Sequence, residues 1–255
     1  GEEEGAGFFS KMSTASHGNE RDTGHTGNFF NITWAMPGVA RSGPHATGAW
    51  MEEFGSWYYD LARTWDWDFP HQGPPQGGND KYGGWDASGM YLIAYAMPLK
   101  KIRLTGSKPS AIPALDEEAA LEVVADGRGW DNLNRTKSYD ALGAETLFDC
   151  LGSWSPIVRD RAAEALARRD GDPVPALIEM LGADSIDARL GACAALARQK
   201  DKAASAVPGL RKLLQHDHLW LRVQAAEALA AIGDAGQVAL PDLLKRLTIG
   251  PTRED

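Results

Sequence analysis

The feature that most constrains this chain is a repeat. Arg159, Arg189 and Arg222 each stand three residues ahead of an alanine-rich stretch ending in leucine: Ala162 to Leu166, Ala192 to Leu196 and Ala225 to Leu229. A second helix follows each time, introduced by Pro175, Pro208 and Pro241 at a constant spacing of 33 residues. The leucines are 30 and then 33 residues apart, so the first copy has a turn three residues shorter. One such hairpin cannot bury its apolar face alone and must borrow a neighbour's, so this period means stacked helical pairs. Leu151, Leu181 and Leu214 fall on one position, which makes the helix Ala144 to Leu151 a half-repeat covering the open end of the array.

At 255 residues the chain can hold two domains with real cores. A formal charge of -9 with no basic stripe argues against a nucleic-acid partner, because neutralising phosphates takes clustered Lys and Arg. Cys150 and Cys193 sit at different positions of two repeats and read as small buried residues, with no disulfide framework and no metal site. No apolar run could span a bilayer. The chain opens on Gly1, Glu2, Glu3 and Glu4 without an initiator Met, which reads as a piece of a longer protein. A leader upstream would make it secreted or periplasmic.

The two halves differ in composition: 17 of the 22 Phe, Trp and Tyr lie between Phe8 and Tyr95. Three parts follow: an aromatic domain over 1–105, a connector with one helix over 106–138, and the repeats, a half plus three, over 139–250. In the first part, Asn28 to Met36 reads as a buried helix stopped by Pro37. A longer helix from Pro44 to about Trp65 is apolar at Trp50, Phe54, Trp57, Tyr58 and Leu61, and a third runs from Asp86 to Met97. The Pro-, Gly- and Asp-rich stretch between Asp66 and Trp85 is too long for a casual connection and marks a functional loop. In the connector, Asp116 is placed to cap a helix reaching Ala125, with Gly127 at its end.

The lettering Val158-Arg159, Ala162-Ala163-Glu164-Ala165-Leu166, Val174-Pro175-Ala176-Leu177, repeated at Leu221-Arg222, Ala225 to Leu229 and Leu240-Pro241-Asp242-Leu243, resembles the HEAT-like repeats named after phycobilisome lyases. The middle copy departs from it with Cys193 and Ala194. Ser16 to Asn31, Trp57 to Arg63 and Lys81 to Asp86 resemble a bacterial group in which an α/α toroid, similar to that of terpenoid cyclases and protein prenyltransferases, precedes such repeats. The resemblance implies an all-α chain, a partial α/α toroid followed by a HEAT-like α-solenoid. It does not bring the cyclase chemistry: Asp66-Trp67-Asp68-Phe69 lacks the third adjacent aspartate of the protonation motif, and no Asp-x-Cys zinc pair exists.

Two loops concentrate candidate chemistry. Between His17 and Asn28, His25 can act as a base with Glu20 or Asp22 orienting it, because imidazole titrates near neutrality and a carboxylate fixes its tautomer. The alternative is a structural loop that caps the next helix. Trp65, Asp66, Asp68, His71, Asp80, Tyr82, Trp85 and Asp86 interleave carboxylates with flat rings, a pattern suited to stacking and protonating sugars. The alternative here is aromatic core with Asp86 capping a helix. His25, Glu20, Asp22 and Asp86 are the catalytic candidates, and Asn28 joins the aromatic and acidic set as ligand-binding; no cofactor is specified. His25 and Asp86 are expected on one cavity wall.

The recurrent arginines are expected to bond to the adjoining turns near Asp184 and Asp217 rather than to form an anion ladder. Lys212 and Lys245 form a small basic patch broken by Glu179. The second helices should share a concave layer in which Leu177, Leu210 and Leu243 are equivalent and buried, with Lys245 and Arg246 solvated in the last helix. The leading function is recognition of a protein partner on that concave face; the competing one is a carbohydrate-active hydrolase or lyase.

Overall fold

The computed structural model describes residues 2–16, 28–60, 63–66, 68–69, 86–99, 112–127 and 135–249. Every extended element among them is helical, and the chain divides into two compact units, Gly1–Arg135 and Thr136–Asp255.

The first unit is held by aromatic packing. Its helices are α1 (Glu3–Ala15), α2 (Asn28–Val39), α3 (Pro44–Gly55), α4 (Ser88–Ala96) and α5 (Glu117–Ala125). α2 does not stop at Pro37. It carries the proline inside its last turn, where a missing N–H costs a single bond, and then tightens into a 3-10 turn, Ala40–Ser42. α3 begins with Pro44 in its first turn, as expected, but its α-geometry ends at Gly55. A single π turn, Ser56–Asp60, takes over and carries the buried Tyr58 and Tyr59. Trp50 is fully buried, stacked on Tyr58 at 5.2 Å and edge-on to Phe54 at 5.8 Å, and its indole N–H donates to Ser16 Oγ at 2.7 Å. Such pairs add about 0.5–1.5 kcal/mol each beyond the area they bury.

α1 is absent from the pattern of the sequence, and packing explains it. Its Ser10 hydroxyl meets Ser42 at 2.5 Å and donates to the Gly38 carbonyl at 2.6 Å, so α1 lies close against the end of α2. α5, assigned by sequence to the connector, packs on α1 and α3, and its Ala120 and Val124 join the aromatic core. Asp116 caps it, accepting from the Ala119 N–H at 2.9 Å. Gly127 follows because of space: a Cβ there would stand 1.7 Å from the Ala15 carbonyl oxygen.

The second unit is the array. After α6 (Arg135–Asp140) and α7 (Ala144–Leu151) come three hairpins: α8 (Pro156–Arg168) with α9 (Val174–Met180), α10 (Ile186–Gln199) with α11 (Val207–Leu213), and α12 (Leu219–Ile232) with α13 (Leu240–Ile249). The first helices stack in one row, α10 lying between α8 and α12, and α7, α9 and α11 pack against α8, α10 and α12 in turn. Alanine on the first helices permits the close approach, and leucine on the second fills the space between. Leu177 and Leu210 are fully buried, worth roughly 1.5–3 kcal/mol apiece. Leu243, at the same position of the last hairpin, is only half-buried. At Gly191 a Cβ would lie 2.0 Å from the Leu151 carbonyl oxygen, so α10 touches the end of α7 backbone to backbone.

Candidate functional site

In the first unit, Glu20, Asp22 and His25 of one loop and His71, Asp80, Tyr82 and Trp85 of the other lie outside the described residues. The expected pairing of His25 with Asp86 therefore lies outside them too. Asn28 opens α2. Trp65 is 92% exposed, and Asp66 accepts from the Thr64 hydroxyl at 2.5 Å while the Asp68 carbonyl accepts from the Thr64 N–H at 2.9 Å, closing a tight turn. Phe69 then ties to the segment ahead of α4: its carbonyl accepts from the Ala87 N–H at 2.8 Å and its N–H donates to Ser88 Oγ at 2.8 Å. The two ends of the acid-rich loop are thereby joined.

Asp86 does not begin a helix. It stands two residues before α4 and accepts from the Ser88 N–H at 2.9 Å. The Ser88 hydroxyl and then its backbone N–H hold the exposed Asp86 carboxyl below the usual carboxylate range. Near neutral pH it is thus an acceptor and not a proton donor. The neighbouring rings serve as core: Phe69 stacks on Tyr91 at 4.8 Å, and Tyr59 stands edge-on to Tyr91 at 6.0 Å and to Tyr95 at 5.3 Å. Among the described residues no group of three or more His, Cys, Asp and Glu is arranged to hold a metal.

In the second unit the recurrent arginines do bond to their turns, through backbone carbonyls. Arg159 donates to the Ser153 carbonyl at 2.6 Å, Arg189 to the Ala183 carbonyl and Arg222 to the His216 carbonyl at 2.9 Å, in each case six residues back. The first two also reach the next hairpin. Arg159 pairs with Asp187 at 2.7 Å, and Arg189 meets His216 Nε2 at 3.1 Å. Burial draws the Arg159 guanidinium down from its ordinary range, with Asp187 opposing the shift. His216 is doubly engaged, since its Nδ1 accepts from the His218 N–H at 3.0 Å. A neutral imidazole has one acceptor nitrogen, so only one of these two contacts is a full hydrogen bond at a time.

The outer sides of the two helical rows differ in charge. On α8 and α10 several charges are paired: Arg198 with Asp160 at 2.5 Å and Glu164 at 3.6 Å, and Arg168 with Asp140 at 2.8 Å. On the second helices, Pro175, Pro208 and Pro241 are exposed beside the small Ala176 and Gly209, and one exposed charged position recurs as Asp149, Glu179, Lys212 and Lys245. Among the described residues no ion pair joins Asp149, Glu179 or Lys212. Sequence reasoning found the last three of this row and missed Asp149, although the alignment of Leu151 with Leu181 and Leu214 points straight to it. Arg246, expected in solvent, instead reaches back to the Leu214 carbonyl at 3.0 Å, satisfying an orphan acceptor at the end of α11. Arg211 pairs with Asp242 at 2.7 Å and locks α11 to α13.

This is an all-α protein whose second unit is an α-solenoid. Residues 174–254 match the family model for HEAT repeats, and residues 1–106 match the one described as Domain of unknown function (DUF6288). Neither a curated protein nor a solved structure matches the chain. No helix among the described residues is long and apolar enough to cross a membrane.

Proposed function

We propose that the chain is a protein-binding scaffold whose working surface is the second-helix face of the HEAT array, the concave face by analogy with other solenoids. The observation that carries this is a difference between the two rows: α8 and α10 pair Arg198 and Arg168 with acids of their own row, whereas α9 and α11 present the small Pro175, Ala176, Pro208 and Gly209 beside Glu179 and Lys212, which no ion pair joins among the described residues. A photo-crosslinking amino acid at Ala176, exposed on α9, should give discrete adducts, and one at Ala230, exposed on α12, should give none. Adducts of equal yield at both positions would discard the assignment of the face.

A second reading belongs to the first unit, read as the closing part of a toroid, and one observation favours it. The bonds from Phe69 to Ala87 and Ser88 bring the chain at Asp68 and at Asp86 to one junction, which supports a reading in which both carboxylates accept from the hydroxyls of one sugar ligand. Under this reading His25→Ala removes binding of an acidic oligosaccharide and leaves the melting of the array unchanged. Unaltered binding would dispose of it.

A further inference from the structure

We infer that the second-helix face selects an extended partner segment whose charges are segregated, cationic at the end lying on α7 and α9 and anionic at the end lying on α11 and α13. The inference rests on the scaffold reading and adds the chemistry of the partner. Asp149, Glu179, Lys212 and Lys245 occupy one position of four successive second helices, and all four are exposed. The sign changes once along the row, between Glu179 and Lys212. Glu145 adds an exposed acid at the first end, and at the other Arg246 adds a cation beside the paired Arg211 and Asp242.

Neighbouring packed helices are about 8–10 Å apart, so the row extends over roughly 25–30 Å. An extended chain covers that in about eight or nine residues at ~3.3 Å each. The floor beneath such a chain is low. Pro175, Ala176, Pro208 and Gly209 raise no long side chain. A backbone can therefore approach while its side chains meet the row. Individually, exposed pairs contribute little. Their arrangement fixes direction and rejects partners of the opposite order, which is what charge complementarity does best at an interface.

Two synthetic peptides of identical composition test this, one with lysines in its first half and aspartates in its second, the other with the two alternating. Titrated onto the full chain at low salt and followed by fluorescence anisotropy, the segregated peptide is expected to bind at least tenfold more tightly, with the advantage fading at high salt. A nitroxide on its lysine end should broaden the NMR signals of Asp149 and Glu179. In the chain carrying Asp149→Lys, Glu179→Lys, Lys212→Glu and Lys245→Glu, the broadening should move to 212 and 245. The exposed positions leave the melting temperature of that variant close to the parent's. Equal binding of the two peptides, binding of neither, or broadening that stays in place overturns the charge order. Adducts from Ala176 report on the scaffold reading separately, so the two can fail independently.

Discussion

The two units solve the same problem of burial with different materials. The first surrounds Trp50, Tyr58, Tyr59, Phe69 and Tyr91 with non-repeating helices, and each ring finds its own geometry. The second repeats a narrow set of alanines and leucines in register, so one contact explains its equivalents. A repeated core is therefore readable position by position, whereas an aromatic one is a single solution that a neighbouring ring cannot predict.

The largest test of that contrast lies inside the array. Leu210→Ala should cost about 2–5 kcal/mol by chemical denaturation, and Leu243→Ala less than half as much, because the first side chain is sealed and the second half-buried. Equal costs would mean that Leu243 is sealed as fully as Leu210 in solution.

Next come two glycines, one from each unit. Gly191→Ala forces a methyl onto the Leu151 carbonyl and should destabilise by about 1–3 kcal/mol, while Gly48→Ala, in a helix with nothing within 4 Å, should stabilise by roughly 0.5–1 kcal/mol. Thermal melts of the two variants moving in the same direction would refute the packing described at one of them.

A smaller effect separates the units by pH. The Tyr59 and Tyr91 hydroxyls are buried without a hydrogen-bond partner, and burial pushes Tyr91 up to about 12 and raises Tyr59 as well. Their neutral forms are favoured in the fold, so this contribution is whole below the unfolded value near 10 and is lost as pH rises toward 12. The first unit should accordingly loosen first in an alkaline titration followed by tyrosinate absorbance. At neutral pH, Tyr91→Phe should change stability by less than about 1 kcal/mol, since it deletes an unsatisfied group.

Smallest is a chemical difference between the two thiols. Burial raises Cys193 to about 12, so it should resist alkylation at pH 8 in the folded chain, whereas the half-buried Cys150 reacts first. Mass spectrometry of partially labelled protein checks the order.

Much of the second unit was legible because equivalent residues vote together. Arg159, Arg189 and Arg222 announced a common role, and three prolines marked three second helices. Ser155 and Ser185 cap α8 and α10, and His218 does the same for α12 through Nδ1. The candidate face was legible in part, since Glu179, Lys212 and Lys245 stood out by spacing. What could not be read was that Arg198 pairs with Asp160, because the two meet only across two stacked hairpins. In the first unit α1 left no signal: its serines and glycines are poor helix formers, and contacts with Gly38 and Ser42 override that preference.

The sequence by itself determined an all-α chain, the repeated hairpins and the cap at Asp116, since periodicity and local hydrogen bonding act over a few residues. Tertiary structure decided where each arginine sends its second bond, Arg159 to Asp187 but Arg189 to His216, and which charges stay exposed. It also decided that Gly127 and Gly191 answer to an approaching carbonyl rather than to a turn. The physical reason is common to all three. They are set by groups roughly thirty or more residues away along the chain, whose distance no local pattern encodes.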